Sequence, residues 1–123
     1  MTTRRQRQVA EQIHHELSLI IQRRVHDPRL KPVTVTGVEI SPDLLNAVVY
    51  VSVLGSQTEA QQALAGLNSA AGFLRRELSN AVVLRFMPQL IFRFDRSLER
   101  AMRIEQLLAK IREERPATDH DDE

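Results

Sequence analysis

A chain of 123 residues, with 17 Lys and Arg against 16 Asp and Glu, has the size of one domain with one core. Four Phe, one Tyr and no Trp leave that core to aliphatic side chains, and the absence of cysteine excludes disulfides, thiolate metal sites and cysteine nucleophiles. The net charge of +1 hides an asymmetry: Glu113, Glu114, Asp119, Asp121, Asp122 and Glu123 stand against Arg115 alone at the C-terminal end, so residues 1–112 carry +6.

Val9, Ile13, Leu17, Ile20 and Ile21 recur at helical spacing and predict a first helix from about Arg5 to Val25, with Arg4, Arg5, Arg7, Gln8, Glu11 and His15 at or near its polar side. The same stretch lacks the apolar segment of a secretion signal, and no apolar run approaches the ~20 residues that span a bilayer. A soluble, unexported, cytoplasmic protein is expected. Asp27-Pro28-Arg29-Leu30-Lys31-Pro32 ends the helix, because a residue before proline is pushed from helical angles.

Val33-Thr34-Val35-Thr36-Gly37-Val38-Glu39-Ile40 reads as a strand whose alternation changes phase, and a bulge at Gly37 would keep Val33, Val35, Val38 and Ile40 on the core side. Ser41-Pro42-Asp43 supplies a turn, and Asn46 to Leu54 a second strand with Ala47, Val49, Val51 and Val53 facing the helices. After Gly55, Ser56 or Thr58 can cap a helix. Ala60, Ala63, Leu64 and Leu67 carry its apolar face, and Phe73, Leu74 and Leu78 resume that face after the small residues Ala70-Ala71-Gly72.

A helix that pauses and restarts there would present free N–H groups and a positive dipole end, which suit a phosphate beside Arg75 and Arg76. A kinked helix with two solvated arginines is the plainer alternative. Val82 to Met87 and Leu90 to Phe94 predict a third strand, broken or bent by Pro88, with Leu90, Phe92 and Phe94 on one face. Asp95 or Ser97 can cap a last helix carrying Ala101, Ile104, Leu108 and Ile111, and a disordered acidic tail is expected over 113–123. Helix, two hairpin strands, helical crossover, strand and helix make an α+β layer within one domain, residues 1–112.

Several segments, in this order and spacing, resemble the ribosome-binding factor A family of bacteria from about Arg7 to Leu108. They are Val9-Ala10-Glu11-Gln12-Ile13, Asp27-Pro28-Arg29-Leu30, Val38-Glu39-Ile40-Ser41-Pro42-Asp43-Leu44, Ala47-Val48-Val49-Tyr50-Val51-Ser52, Ala70-Ala71-Gly72-Phe73-Leu74-Arg75, Pro88-Gln89-Leu90-Ile91-Phe92 and Asp95-Arg96-Ser97. Gln89 and Ala101 depart from the family's usual Glu and Gly.

The resemblance implies a KH-like type II domain, a three-stranded sheet with helices packed on one face, in which a helix-kink-helix at Ala70-Ala71-Gly72 replaces the Gly-x-x-Gly loop. It also implies a non-enzymatic factor without cofactor that binds the immature small (30S) ribosomal subunit and 16S rRNA, supports maturation of the 16S 5′ end and matters in cold growth. Neighbouring ribosomal proteins could add contacts; a monomer away from membranes is expected.

Fifteen of the 17 cations are arginine, whose planar fork grips phosphate. The expected RNA-binding set is Ala70, Ala71, Gly72, Arg75, Arg76 and a second cluster, Arg4, Arg5 and Arg7, on a mobile N-terminus. Arg75 matches the family motif, whereas Arg76 is added on charge. Tyr50 alone makes no stacking platform of the RRM kind, so recognition through shape and phosphate is expected.

No catalytic or metal constellation stands out. His14 and His15 point about 100° apart on a helix, His26 and His120 are isolated, and capping explains Asp95 and Ser97. Gly66 and Gly72 are too sparse for a nucleotide loop. The competing reading is a protein-interaction module docking through its sheet face or acidic tail; Val48, Tyr50 and Leu54 form that face, and cover by Ile104, Leu107, Leu108 and Ile111 is expected.

Overall fold

The computed structural model describes residues 2–114, except for the side chains of 98–102 and 114, so the acidic tail lies outside the described residues from Arg115 onward. Helix α1 spans Arg4–Arg24 and opens on a capping box: the Thr3 hydroxyl accepts the Gln6 amide at 3.1 Å, and the Gln6 side chain accepts the Thr3 amide at 2.9 Å. Gln6 is itself buried and donates Nε2 to the Ile40 carbonyl at 2.9 Å. Arg4, Arg5 and Arg7 thus occupy the first turns of a capped helix tied to the sheet.

Val9, Ile13, Leu17, Ile20 and Ile21 are all buried, each stabilising the fold by about 1.5–3 kcal/mol if an apolar side chain is fully withdrawn from water. They cover β1 (Val33–Ile40) and β2 (Asn46–Val53), which pair antiparallel. The register skips between Val35 and Gly37, leaving Thr36 as the extra residue of a bulge. Val35 and Ile40 are buried, and Val33 and Val38 pack against the core, as the phase change in the sequence predicts. His14 clips α1 to this strand, with Nε2 2.9 Å from the Val35 carbonyl. A carbonyl can only accept, so that ring nitrogen carries the proton.

Helix α2 (Gln57–Ala81) begins on a second capping box, Ser56 with Glu59, and carries the chain across the sheet to β3 (Gln89–Phe94). β3 pairs parallel with β2, giving the order β1-β2-β3. A parallel pair requires such a crossover. Ala47, Val49 and Val51 are fully buried beneath α1 and α2. Two helices on one face of a three-stranded sheet make the expected KH-like α+β layer.

Three expectations change. The helix expected to pause and restart at Ala70-Ala71-Gly72 runs through those residues without a break, as one helix of 25 residues. Alanine is the best helix former and a lone glycine costs only about 1 kcal/mol, which the unbroken buried row Leu67, Leu74 and Leu78 offsets. Gly72 is exposed, and nothing lies within 4 Å of where its Cβ would stand. The close approach occurs at Gly66, where a Cβ would meet Leu30 Cδ2 at 3.1 Å, Arg29 Nε at 3.3 Å and Asp27 Oδ2 at 3.4 Å.

The third strand starts only at Gln89. Residues 82–88 make no ladder; immediately ahead of the strand Arg75 takes the carbonyls of Met87 and Pro88, and the proline has no N–H to donate. The last helix, α3 (Ser97–Glu114), begins with Asp95 Oδ1 accepting the Ser97 amide at 2.9 Å. It does not close the open sheet face: Ile104, Leu107, Leu108 and Ile111 are 40–60% exposed.

Candidate nucleic-acid interface

With no break in α2, there are no free N–H groups at Gly72 to hold an anion. What remains at that place is a side-chain surface. Ser69, Gly72 and Arg76 fall at i, i+3 and i+7, all exposed, while Ala70 and Ala71 pack partly against the core. Arg76 makes no ion pair among the described residues, so its fork is open to solvent.

Arg75 differs from its neighbour. Its Nε donates to the Pro88 carbonyl at 3.0 Å and a terminal nitrogen to the Met87 carbonyl at 2.8 Å. Two of the five guanidinium N–H groups are thus committed to the connection ahead of β3. The residue predicted as a phosphate contact is first of all an anchor for that connection. Sequence offered no signal for this, since backbone carbonyls are invisible in composition.

Other arginines are also taken. Arg29 closes its fork on Asp27, at 2.7 Å for the shortest contact, and its hydrogen bonds hold the Asp27 carboxyl below the usual carboxylate range. That pair presses on Gly66, so Asp27-Pro28-Arg29-Leu30 works as the wedge that docks the loop onto α2. Arg24 pairs with Glu77 at 3.1 Å, linking the end of α1 to α2. Arg4, Arg5 and Arg7 are exposed and without ion pairs among the described residues.

The predicted cations therefore fall on two helices, and the structure adds two residues absent from the expected set. Arg85 and Phe86, within the stretch expected to be a strand, lie instead on the connection that Arg75 anchors, and both are exposed. Arg5 and Arg85 line one cavity. The cue in the sequence was an aromatic beside an arginine, but a buried strand was the more economical explanation.

The open sheet face is mixed. Tyr50 sits opposite Arg93 of β3, and the adjacent Glu39 pushes its phenol up from the ordinary value. Asp95 receives the Thr36 hydroxyl at 2.6 Å, and this bond chiefly lowers its carboxyl below the usual range. Among the described residues no three His, Asp or Glu side chains converge to ligate a metal, and no helix is long and apolar enough to cross a membrane.

Fold and surface define a class: a small KH-like α+β domain whose arginines are divided between internal anchors and open contacts. Comparison with known proteins narrows it. The profile of the ribosome-binding factor A family matches residues 5–108. Ribosome-binding factor A of Geobacter metallireducens is 43% identical over 116 residues, covering 94% of this chain and 98% of that one.

The crystal structure of ribosome-binding factor A from Thermus thermophilus superimposes with a TM-score of 0.68 at 30% identity, covering 75% of this chain and 98% of the other. A Thermus thermophilus ribosome-binding factor A homology model, fitted into a cryo-electron-microscopy map of a 30S complex, is similar at TM-score 0.59 and 32% identity, covering 71% and 91%. The chain belongs to the ribosome-binding factor A family.

Proposed function

We propose that this protein binds the immature 30S subunit through 16S rRNA, as a non-enzymatic assembly factor that supports maturation of the 16S 5′ end and matters in cold growth. The observation that carries the reading is the set of open arginines, Arg4, Arg5, Arg7 and Arg76, on a fold shared with a relative fitted into a 30S complex. Phosphates neutralised by such forks release counterions, and contacts of this kind fix position more than sequence. Gly72, exposed one turn before Arg76, leaves a low profile that lets a backbone approach, while Ala70 and Ala71 support it from the side packed against the core. Arg75 contributes by holding its connection in place and through the N–H groups it has left.

Cosedimentation with purified 30S particles over a salt series tests this. Affinity should fall with salt by about 0.7–0.9 log units per log unit for each phosphate contact, and Arg76→Glu with Arg4, Arg5 and Arg7 changed to Glu should abolish cosedimentation. Unchanged cosedimentation of the charge-reversed protein refutes the surface. In cells lacking the protein, 5′-extended 16S rRNA should accumulate, most strongly in the cold.

One observation favours a second reading. The exposed row Ile104, Leu107, Leu108 and Ile111, with the half-open sheet face, could dock another protein, and an apolar interface would persist where phosphate binding fades with salt.

A further inference from the structure

We propose that a cavity between the start of α1, the β1–β2 turn and the α2–β3 connection receives a single unstacked RNA base. The inference rests on the rRNA-binding reading and names where one nucleotide would be held. The cavity measures about 160 Å³, and its walls include Arg5, Val9, Leu44, Leu45, Arg85 and Phe86. An apolar cavity of about 150 Å³ is known to accept a benzene ring, so the space suits one flat six-membered ring.

The surroundings are apolar where they should not be. Phe86 is 65% exposed, Leu45 50% and Val83, in the adjoining groove that Arg5 and Val9 also line, 97%. Phe86 and Leu45 at the cavity, with Val83 in the groove beside it, make an exposed apolar patch of the kind that marks a binding groove. The Arg85 guanidinium lies 5.6 Å from the Phe86 ring centroid, an arrangement in which ring and cation together form a stacking surface.

Charge selects the occupant. Arg5 and Arg85 line the cavity, both are exposed and neither has an ion pair among the described residues, whereas the one carboxylate in the wall, Asp43, already accepts the Ser41 hydroxyl at 2.6 Å and the Leu45 amide at 3.0 Å. A largely apolar slot with two unpaired arginines in its wall fits a flat ring attached to phosphates, and fits an apolar peptide side chain less well.

The backbone is held for this shape. Leu44 has φ of +64°, a left-handed conformation that a branched side chain rarely adopts, fixed by its amide bonding the Ser41 carbonyl at 2.9 Å. Leu44 thereby packs against the core as Leu45 turns outward. On the opposite side Arg75 anchors the connection that presents Arg85 and Phe86.

The test uses the full chain and a short single-stranded RNA carrying one 2-aminopurine, compared with the same RNA abasic at that position. Stacking should quench the fluorophore, and the abasic RNA should bind at least about fivefold more weakly. Phe86→Ala should lower affinity roughly 5- to 160-fold, the range for loss of one stacked base, while Phe86→Tyr stays within about threefold. Arg85→Gln should reduce the salt slope by about one phosphate contact.

Equal affinity for the abasic RNA, or for wild type and Phe86→Ala, overturns the base site while salt-dependent binding leaves the rRNA reading standing. Absence of any salt-dependent RNA binding overturns both. If Phe86→Ala retains RNA but loses binding to small-subunit proteins freed of RNA, the slot belongs to a protein side chain and the inference fails.

Discussion

Replacing Gly72 by alanine separates a continuous α2 from an interrupted one. In the structure Gly72 lies inside the helix, is exposed and has no positive φ, and a Cβ built there meets nothing within 4 Å. The substitution then neither buries nor crowds an atom, and its effect reduces to backbone propensity and the smaller entropy of the unfolded chain. These favour alanine by about 0.5–1 kcal/mol. For a domain of this size that raises the melting temperature by roughly 2–6 °C.

Urea unfolding followed by far-ultraviolet circular dichroism should show the midpoint rise by a few tenths of a molar, about the gain divided by a slope of 1–3 kcal/mol/M, with the slope unchanged. Gly66→Ala is the internal control. It makes the same propensity gain, but its new methyl meets Leu30 Cδ2 at 3.1 Å, and Leu30 is only 3% exposed. It should therefore be at least about 1 kcal/mol less stable than Gly72→Ala. If Gly72→Ala instead destabilises by about 1 kcal/mol or more, the helix breaks at that residue in solution and the account of α2 is wrong.

Other consequences can be measured directly. Arg75→Ala leaves the Met87 and Pro88 carbonyls without their charged donors and should destabilise by about 2 kcal/mol, with amide exchange rising first across 82–88; a stability loss below about 0.5 kcal/mol would make the anchor incidental. Gly66→Val should be far worse than Gly66→Ala, since the larger side chain must displace the Asp27–Arg29 pair as well as Leu30, and a neutral result in chemical unfolding would contradict the wedge.

Asp27, Asp43, Glu59 and Asp95 all have carboxyls held below their ordinary values by hydrogen bonds. Their contribution is present above the unfolded values near pH ~4 and disappears as pH falls through the lower folded ones, so melting temperature should drop on acidification below about pH 4. Thr36→Val should move the Asp95 titration upward toward the ordinary value, observable by carboxyl NMR; an unmoved titration would deny Thr36 that role.

Much of this protein follows from local pattern. The stripe from Val9 to Ile21, the phase change around Gly37 and the alternation from Ala47 to Val51 are written in residue order, because helical and strand periods are set by the backbone and hydrophobic burial needs only one face. Of the two candidates at each helix start, Ser56 rather than Thr58 caps α2, and Asp95 accepts the Ser97 amide ahead of α3.

Tertiary structure alone decided the rest. Gly72 and Gly66 look alike in sequence, yet only Gly66 meets another segment. Arg75 and Arg76 are adjacent, yet one is claimed by two carbonyls across the fold and the other faces solvent. Phe86 and Phe92 sit in the same apolar stretch, and one is exposed while the other is buried. In each pair the residue type is the same, and the difference arises from atoms distant in sequence. A side chain's chemistry is local, but its availability depends on which donors, acceptors and apolar surfaces the completed packing brings to it.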